Sequence, residues 1–327
     1  MARLSLDEIE VLASTALVKA GAAEHQAHPV ARSIRRAEAD GIGLIGLGYL
    51  PTYLMHLRSG KVDGKAKPSV RTTRPAAIVA DAAHGFAHPA FDAALDTLVN
   101  ATRAAGTTAL AINRSYSIGV LGHPVEDIAS RGLVALAVTN APPNMAAWGG
   151  RRKVFGTNPI AFAVPRDGQP PLVVDQSTTV VPKVALAAKA QAGEPIPDTW
   201  AFDADGRPTT DAKAGLAGSM APFGGAKGAN VALLVEVLAA ALTGATLSKD
   251  VQSYVIAEGP PAGVGQFFIA FDPAAYADGF SARLEALAAA IESDSGARLP
   301  GARRLAARAA AASGVDVDDA LLAKIAG

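Results

Sequence analysis

Residues 151–165 read RRKVFGTNPIAFAVP, and residues 221–236 read APFGGAKGANVALLVE. In each, a glycine-marked turn runs into an apolar stretch. Gly156-Thr157-Asn158-Pro159 precedes residues 160–164, whose length and composition predict a buried strand. Gly224-Gly225-Ala226-Lys227-Gly228 precedes a run with the apolar spacing of a helix. Glycine lets a backbone come close to a ligand, and free amides at a helix start favour anions. Either turn, taken singly, is equally well an ordinary connection.

Further strand-like runs lie at 76–80, 108–112, 133–139, 172–175 and 266–271. Helical spacing is expected at about 29–40, 91–105, 124–131, 183–191, 230–242, 280–293 and 301–313, and residues 315–324 close the chain. Ser5-Leu6-Asp7-Glu8 has the form of a capping box that starts the first helix. Residues 59–70, SGKVDGKAKPSV, and residues 193–211 are polar and glycine-marked, so both read as loops. Strands and helices mix without a regular alternation, and no G-x-G-x-x-G follows a first strand. That argues against a doubly wound dinucleotide fold and for an α+β fold.

The chain has 327 residues, half of them hydrophobic, enough for a large core. Lys+Arg and Asp+Glu balance at 30 each, so no net field favours nucleic acid or an acidic membrane surface. With no cysteine, disulfides, thiolate nucleophiles and Cys–zinc sites are excluded. The six histidines show no metal-ligand spacing, and no metal is expected. No run of about 18 apolar residues lacks a charge or breaker, and the N-terminus is a poor signal peptide. A cytoplasmic protein is the expectation.

PFGG-x-KG with its apolar helix, GTNPIAFAVP, TNAPPNMAAWGG (139–150), DADGRPTTD (203–211), LLVEVLAAALTGA (233–245) and LPGARR (299–304) together resemble the malate/L-lactate dehydrogenase family of the second, non-Rossmann type. Within it, the chain is similar to the Δ1-piperideine-2-carboxylate/Δ1-pyrroline-2-carboxylate reductases. The resemblance spans nearly the whole chain. It implies a mainly antiparallel sheet flanked by helices. Residues 1–75 and 280–327 would form a helical terminal domain, and residues 76–279 an α+β core that binds nucleotide and substrate. It also implies a homodimer, a small-molecule substrate, and NADPH as cofactor, with NADH as the alternative.

The same resemblance exposes departures. The family's Ser-His-Gly motif and following arginine supply a proton donor and a grip on the substrate carboxylate. Here that segment reads Leu44-Ile45-Gly46-Leu47-Gly48-Tyr49-Leu50-Pro51. Serine is Leu44, the donor histidine is Ile45, and the arginine is Tyr49. Further on, Ser117 stands for a cofactor-packing histidine, Ala185 for a relay aspartate, and Ala226 for another histidine. Tyr49 and Tyr116 carry hydroxyls inside the altered motifs and are the candidate catalytic donors, with water as the alternative. A tyrosine in an apolar segment is more often core with one hydrogen bond. His123 reads as a surface turn.

Cofactor contacts implied by resemblance are Ser117, Ile118, Gly119, Val120, Leu121, Asp175, Gln176, Ser177, Lys227, Pro300, Gly301, Ala302, Arg303, Arg304, Leu305 and Ala306. Arg303 and Arg304 are suited to a 2′-phosphate, or else lie on a solvated helix face. Leu44, Ile45, Thr157 and Thr178 are the candidate substrate contacts. Arg151-Arg152-Lys153 is a basic cluster that either attracts an anion or is merely solvated. The function these features imply is an NADPH-dependent reductase of a small 2-oxo or cyclic 2-imino acid with a non-standard proton donor. The alternative is a family member that has lost hydride transfer and does redox-neutral chemistry on a more apolar substrate or acts as a binding or partner subunit.

Overall fold

A computed structural model describes all residues, 1–327. Its centre is a seven-stranded sheet. In spatial order the strands are Ser69–Arg74, Ala77–Asp81, Thr107–Ser115, Val264–Phe271, Val134–Thr139, Ile160–Arg166 and Gln169–Gln176. Only the pair Ala77–Asp81 with Thr107–Ser115 is parallel; every other neighbour is antiparallel. The mixed order of strands and helices in the sequence thus becomes an α+β fold with a mainly antiparallel sheet.

Helices Ala87–Ala105 and Gly122–Ala129 cover one face of the sheet. Between them and the strands lies a core that includes Phe91, Leu98, Leu110, Ile112, Val125, Ile128 and Phe268. Helix Ala226–Glu236 and the wider π-type turn Val237–Ala241 that continues it lie on the other face, against Val138, Ile160 and Phe267. A second core gathers helices Leu6–Lys19, Glu24–Ala39 and Leu50–Arg58 with Val317 and Ile325 from the chain's end. The Ser5 capping box is formed as expected, with both reciprocal hydrogen bonds. A small third core, built on Leu186, Ile196, Ala201 and Met220, makes a lobe that carries helix Lys183–Ala192.

Several expectations are corrected. The N-terminal residues Ala2–Leu4 form a strand paired antiparallel with Val315–Val317, closing the chain ends on each other. The glycine-rich 59–70 segment, read as a loop, ends in the edge strand Ser69–Arg74, which pairs with Ala77–Asp81 in a hairpin of the main sheet. That edge strand is exposed on one face, which erased the apolar signal. The 193–211 loop contains the short strand Ala201–Phe202 and a buried Ile196. Helix Phe280–Glu292 lies against strand Ile160–Arg166, with Arg166 ion-paired to Glu285.

The glycine grammar of PFGGAKG has a packing cause. A Cβ at Gly228 would sit 1.9 Å from the Phe223 carbonyl oxygen, so the helix can follow its turn that closely only with glycine there. Gly224 and Gly225 both have positive φ, at 58° and 64°.

Candidate active site

The Leu44–Pro51 segment is shaped by Glu38. Its carboxylate is buried at the end of helix Glu24–Ala39 and accepts from the Leu47 amide at 2.7 Å. Burial raises its pKa, and the amide partly offsets that. A Cβ on Gly46 would meet this carboxylate at 2.5 Å, and one on Gly48 would meet the Gly43 carbonyl at 2.9 Å. The turn therefore needs its glycines at Gly46 and Gly48. It delivers Ile45 and Tyr49 to a cleft and leaves Leu44 62% exposed, away from the cleft lining.

That cleft has a volume of about 560 Å³, within the range of small-molecule sites. One wall is helical: Ile45, Tyr49, Thr52, Tyr53 and Met55. A strap, Ser253 to Val255, lies beside it. The sheet side offers Ser117, Gly119, Thr157 and Ser177, and the small lobe offers Pro182, Lys183, Val184 and Ala187. Lys183 is the one charged residue in the lining.

Tyr49, Tyr53, Tyr116, Tyr254, Phe86 and His56 form one aromatic cluster behind the helical wall, with ring centroids 4.9–6.2 Å apart. Tyr116 is fully buried, and its hydroxyl is 2.5 Å from His56 Nδ1. The other ring nitrogen, Nε2, lies 3.1 Å from the Ile256 carbonyl, which can only accept. Nε2 of the neutral ring therefore carries the proton, and Nδ1 accepts from Tyr116. The Tyr49 and Tyr116 hydroxyls are near enough for each to perturb the other's pKa. His56, bonded to Tyr116, thus lies at the buried end of a cluster whose other end, Tyr49, lines the cleft. Burial raises the pKa of both tyrosines well above the ordinary phenol, so both are neutral donors. Burial lowers that of His56, with the Ile256 carbonyl pulling the other way.

The strap is pinned from beneath. Lys61 is fully buried and donates to the Ser253 and Ile256 carbonyls at 3.1 and 2.8 Å, and Ser59 Oγ donates to the Ala257 carbonyl at 2.7 Å. The supposed loop lysine is a structural tie.

The residues read as cofactor contacts split into groups. Loop 117–121, the strand end at Asp175 and segment 300–306 converge. The Gly122 amide donates to Asp175 Oδ2 at 2.7 Å, and a Cβ on Gly301 would stand 3.5 Å from the Val173 carbonyl. Crowding lifts the Asp175 pKa to about 6 against the Gly122 bond and the Arg304 charge. The residue is nonetheless exposed, and solvent screening moderates that push. Arg304 is mostly buried and touches Glu126 with one nitrogen at 3.4 Å, while its Nε has no partner. Arg303 is exposed. An unmet guanidinium nitrogen beside a glycine-led helix start fits a phosphate-bearing nucleotide. Pro300 and Ala302 are exposed at that start, and Leu305 and Ala306 follow within helix Ala302–Ala311. Ile118, Val120 and Leu121 are buried and hold their loop, while Ser117, Gly119 and Ser177 face the cleft.

Like Leu44, the candidates Thr178, Lys227 and Gln176 are placed outside the cleft lining. Thr178 is fully buried, and its hydroxyl and amide both donate to the Thr157 carbonyl at 2.9 Å, so it ties Thr157 down and does not face the cleft. Lys227 is exposed in the first turn of helix Ala226–Glu236, outside the cleft lining. Gln176 is exposed at the end of its strand, beside Ser177. Ala185 also lies off the lining, which takes Lys183, Val184 and Ala187 from the same helix. His123 is not a surface turn: it is buried in helix Gly122–Ala129, with Nε2 3.1 Å from Asp40. Of the basic cluster, Arg151 and Arg152 are exposed, while Lys153 is half-buried and donates to the Leu216 carbonyl at 2.7 Å.

Sequence reading missed His56 and Lys183. For His56 a signal existed. Tyr49, Tyr53 and His56 are spaced by four and three, which puts them on one helix face. For Lys183 no spacing gave notice.

Residues 4–326 match a family model described as malate/L-lactate dehydrogenase. The chain is 44% identical to the (2R)-3-sulfolactate dehydrogenase (NADP(+)) of Chromohalobacter salexigens, over 98% of this chain and 96% of the relative. It is 38% identical to the Δ1-pyrroline-2-carboxylate reductase of Pseudomonas fluorescens, over 99% and 98%. The crystal structure of the Δ1-piperideine-2-carboxylate reductase from Pseudomonas syringae superposes with a TM-score of 0.94 at 35% identity, covering 99% of each chain.

Proposed function

From the premise that the chain belongs to the malate/L-lactate dehydrogenase family, we infer that it is an NADPH-dependent reductase of a small 2-oxo or cyclic 2-imino acid. The observation that carries this is the cleft in which the Tyr49 hydroxyl, the Thr157 and Ser177 side chains and one cation, Lys183, meet beside the loop at Ser117 and Gly119. When bound, NADPH supplies the hydride. The side chains hold the acid, exclude water and deliver the proton.

Tyr49 gives its hydroxyl proton to the substrate oxygen or nitrogen as that atom gains charge. Tyr116 returns a proton to the Tyr49 oxygen, and protonated His56 returns one to Tyr116 from Nδ1. In the reverse direction each proton moves the other way and neutral His56 is the final base. His56 and Tyr116 do not touch substrate; they set the protonation state of the group that does. Ile45 and Met55 make the helical wall apolar and strengthen each polar contact inside it. Ser117 and Gly119 would stand against the nicotinamide, and Arg304 against a phosphate of the nucleotide.

The direct test is titration of the purified protein with NADPH and NADH, read by quenching of Trp148 and Trp200, followed by turnover with pyruvate, 3-sulfopyruvate and Δ1-piperideine-2-carboxylate. We expect NADPH to bind more tightly and at least one acid to be reduced. Absence of binding to either nucleotide sinks the reading.

A homodimer accompanies this reading. Leu233, Leu234, Val237 and Leu242 on the helix behind PFGG-x-KG are each 47–60% exposed, and Trp148 lies nearby against Gly225. Such an apolar face on an otherwise charged surface fits a second copy of the chain. Leu234→Glu should convert a dimer to monomer in sedimentation; a wild-type monomer at micromolar concentration would refute the assignment. A cytoplasmic location, where the NADPH pool is used, belongs to the same reading, and recovery in a membrane fraction would contradict it. No helix is long and apolar enough to cross a membrane.

A further inference from the structure

The segment that grips a carboxylate in the family has no cation here, yet a small acid brings at least one negative charge into the cleft. The lining contains neither arginine nor carboxylate. We propose that Lys183, the first residue of helix Lys183–Ala192, is the group that binds the substrate's carboxylate and sets the selectivity for acids over their uncharged counterparts. The proposal rests on the reductase reading and names the charge that reading lacks.

The cleft lining places Lys183 on the small lobe, with Tyr49 on the helical wall and Thr157 on the sheet side. A carboxylate on Lys183 would leave the adjacent carbonyl or imine carbon to be held between these walls. The Thr157 hydroxyl is a further donor in the same lining, whereas the Ser177 hydroxyl donates to the Thr179 carbonyl at 3.1 Å. Lys183 is half-buried and has no acidic partner. Its neighbour Lys153 is engaged with the Leu216 carbonyl, so Lys183 is the ammonium left for a ligand.

Burial first, and the Lys153 charge second, lower the Lys183 pKa. Both effects disfavour the free ammonium, and an incoming anion relieves both. The other titratable groups of the cleft, Tyr49, Tyr53 and Tyr254, have pKa values raised by burial and stay neutral while Lys183 titrates. Anion binding should therefore weaken as pH rises through the lowered lysine value, and the Lys183→Arg variant should carry that limb to higher pH.

The test is calorimetric titration of the NADPH-loaded protein with oxalate, a non-reacting 2-oxo-acid mimic, in wild type, Lys183→Met and Lys183→Arg. Loss of the cation should weaken oxalate by on the order of 100-fold, with arginine recovering most of it. NADPH affinity, read separately by fluorescence, should be unchanged. Kinetics with pyruvate and methyl pyruvate give the second readout: Lys183→Met should raise KM for the acid and leave the ester unaffected. Equal oxalate affinity in wild type and Lys183→Met, or no oxalate binding at all, overturns the proposal. Oxalate binding that depends on Lys183 without reduction of any acid would instead overturn the reductase reading and leave the anion site standing.

Discussion

Tyr49→Phe should lower the rate of acid reduction by on the order of 10³-fold, the usual scale for removing a positioned general acid. Phenylalanine keeps the ring against Tyr53, 5.0 Å away edge to face, so the helical wall should hold its shape. NADPH affinity should be preserved, and single-turnover measurements at saturating acid should place the loss in the chemical step. Unchanged turnover would mean that water or another group is the donor. The pH profile separates the relay from a lone phenol. His56 must be protonated to complete reduction, and burial lowers its pKa. Reduction should therefore fall as pH rises through that lowered value, and oxidation of the hydroxy acid should rise over the same range. Tyr116→Phe interrupts the chain between His56 and Tyr49 and should flatten that dependence, whereas a purely packed tyrosine would leave it intact.

Arg308→Met should destabilise the fold by about 3–5 kcal/mol, the scale for removing one partner of a buried ion pair. The Arg308 guanidinium contacts Asp40 at 2.5 and 3.2 Å and Glu126 with two bonds of 2.7 Å. The Asp40 side chain is fully buried and that of Glu126 is 7% exposed. This one residue joins helix Ala302–Ala311 to the end of helix Glu24–Ala39 and to helix Gly122–Ala129. Burial pushes the Asp40 carboxyl up, but His123 and Arg308 outweigh it and the net shift is downward. At Glu126 burial is likewise outweighed, by Arg308, Arg304 and Arg36. Folded-state pKa values below the unfolded ones mean stability that is present above the ordinary carboxylate range, near pH 4, and is lost as pH falls through the folded values. Wild type should thus lose stability steeply below about pH 4, and Arg308→Met should lose less there, because much of that contribution is already gone. Thermal melts across pH check both. A wild-type melting temperature that is flat in acid would contradict the assignment.

Much of the site was legible where side chains follow from local sequence. The turn at 43–49 could be located by its glycines and by Leu50-Pro51, and Tyr49, read as a site hydroxyl, does line the cleft. The Tyr49–Tyr53–His56 face was readable from helical spacing. It went unread because His56 has no sequence neighbour that explains it. Its partners, Tyr116 and the Ile256 carbonyl, are 60 and 200 residues away. Thr178 shows the opposite failure: a polar residue in a ligand-like turn that spends its hydroxyl on the backbone. Lys183 was passed over for Ala185 because the helix's rotation about its axis, which decides the residue that meets the cleft, is fixed by burial of Leu186 and Ala190 in the small lobe.

The sequence alone determined the family, the α+β class and the positions of most strands and helices. Glycine-bound turns, apolar periodicity and capping are local properties, and they survive in the primary structure. The tertiary structure decided which hydroxyl connects to which base, which lysine is free and which is a tie, and that His123 and Arg308 belong to a buried charge network. Those outcomes depend on distances between segments far apart in the chain. They also depend on burial, which makes an unpaired charge costly and a paired one specific.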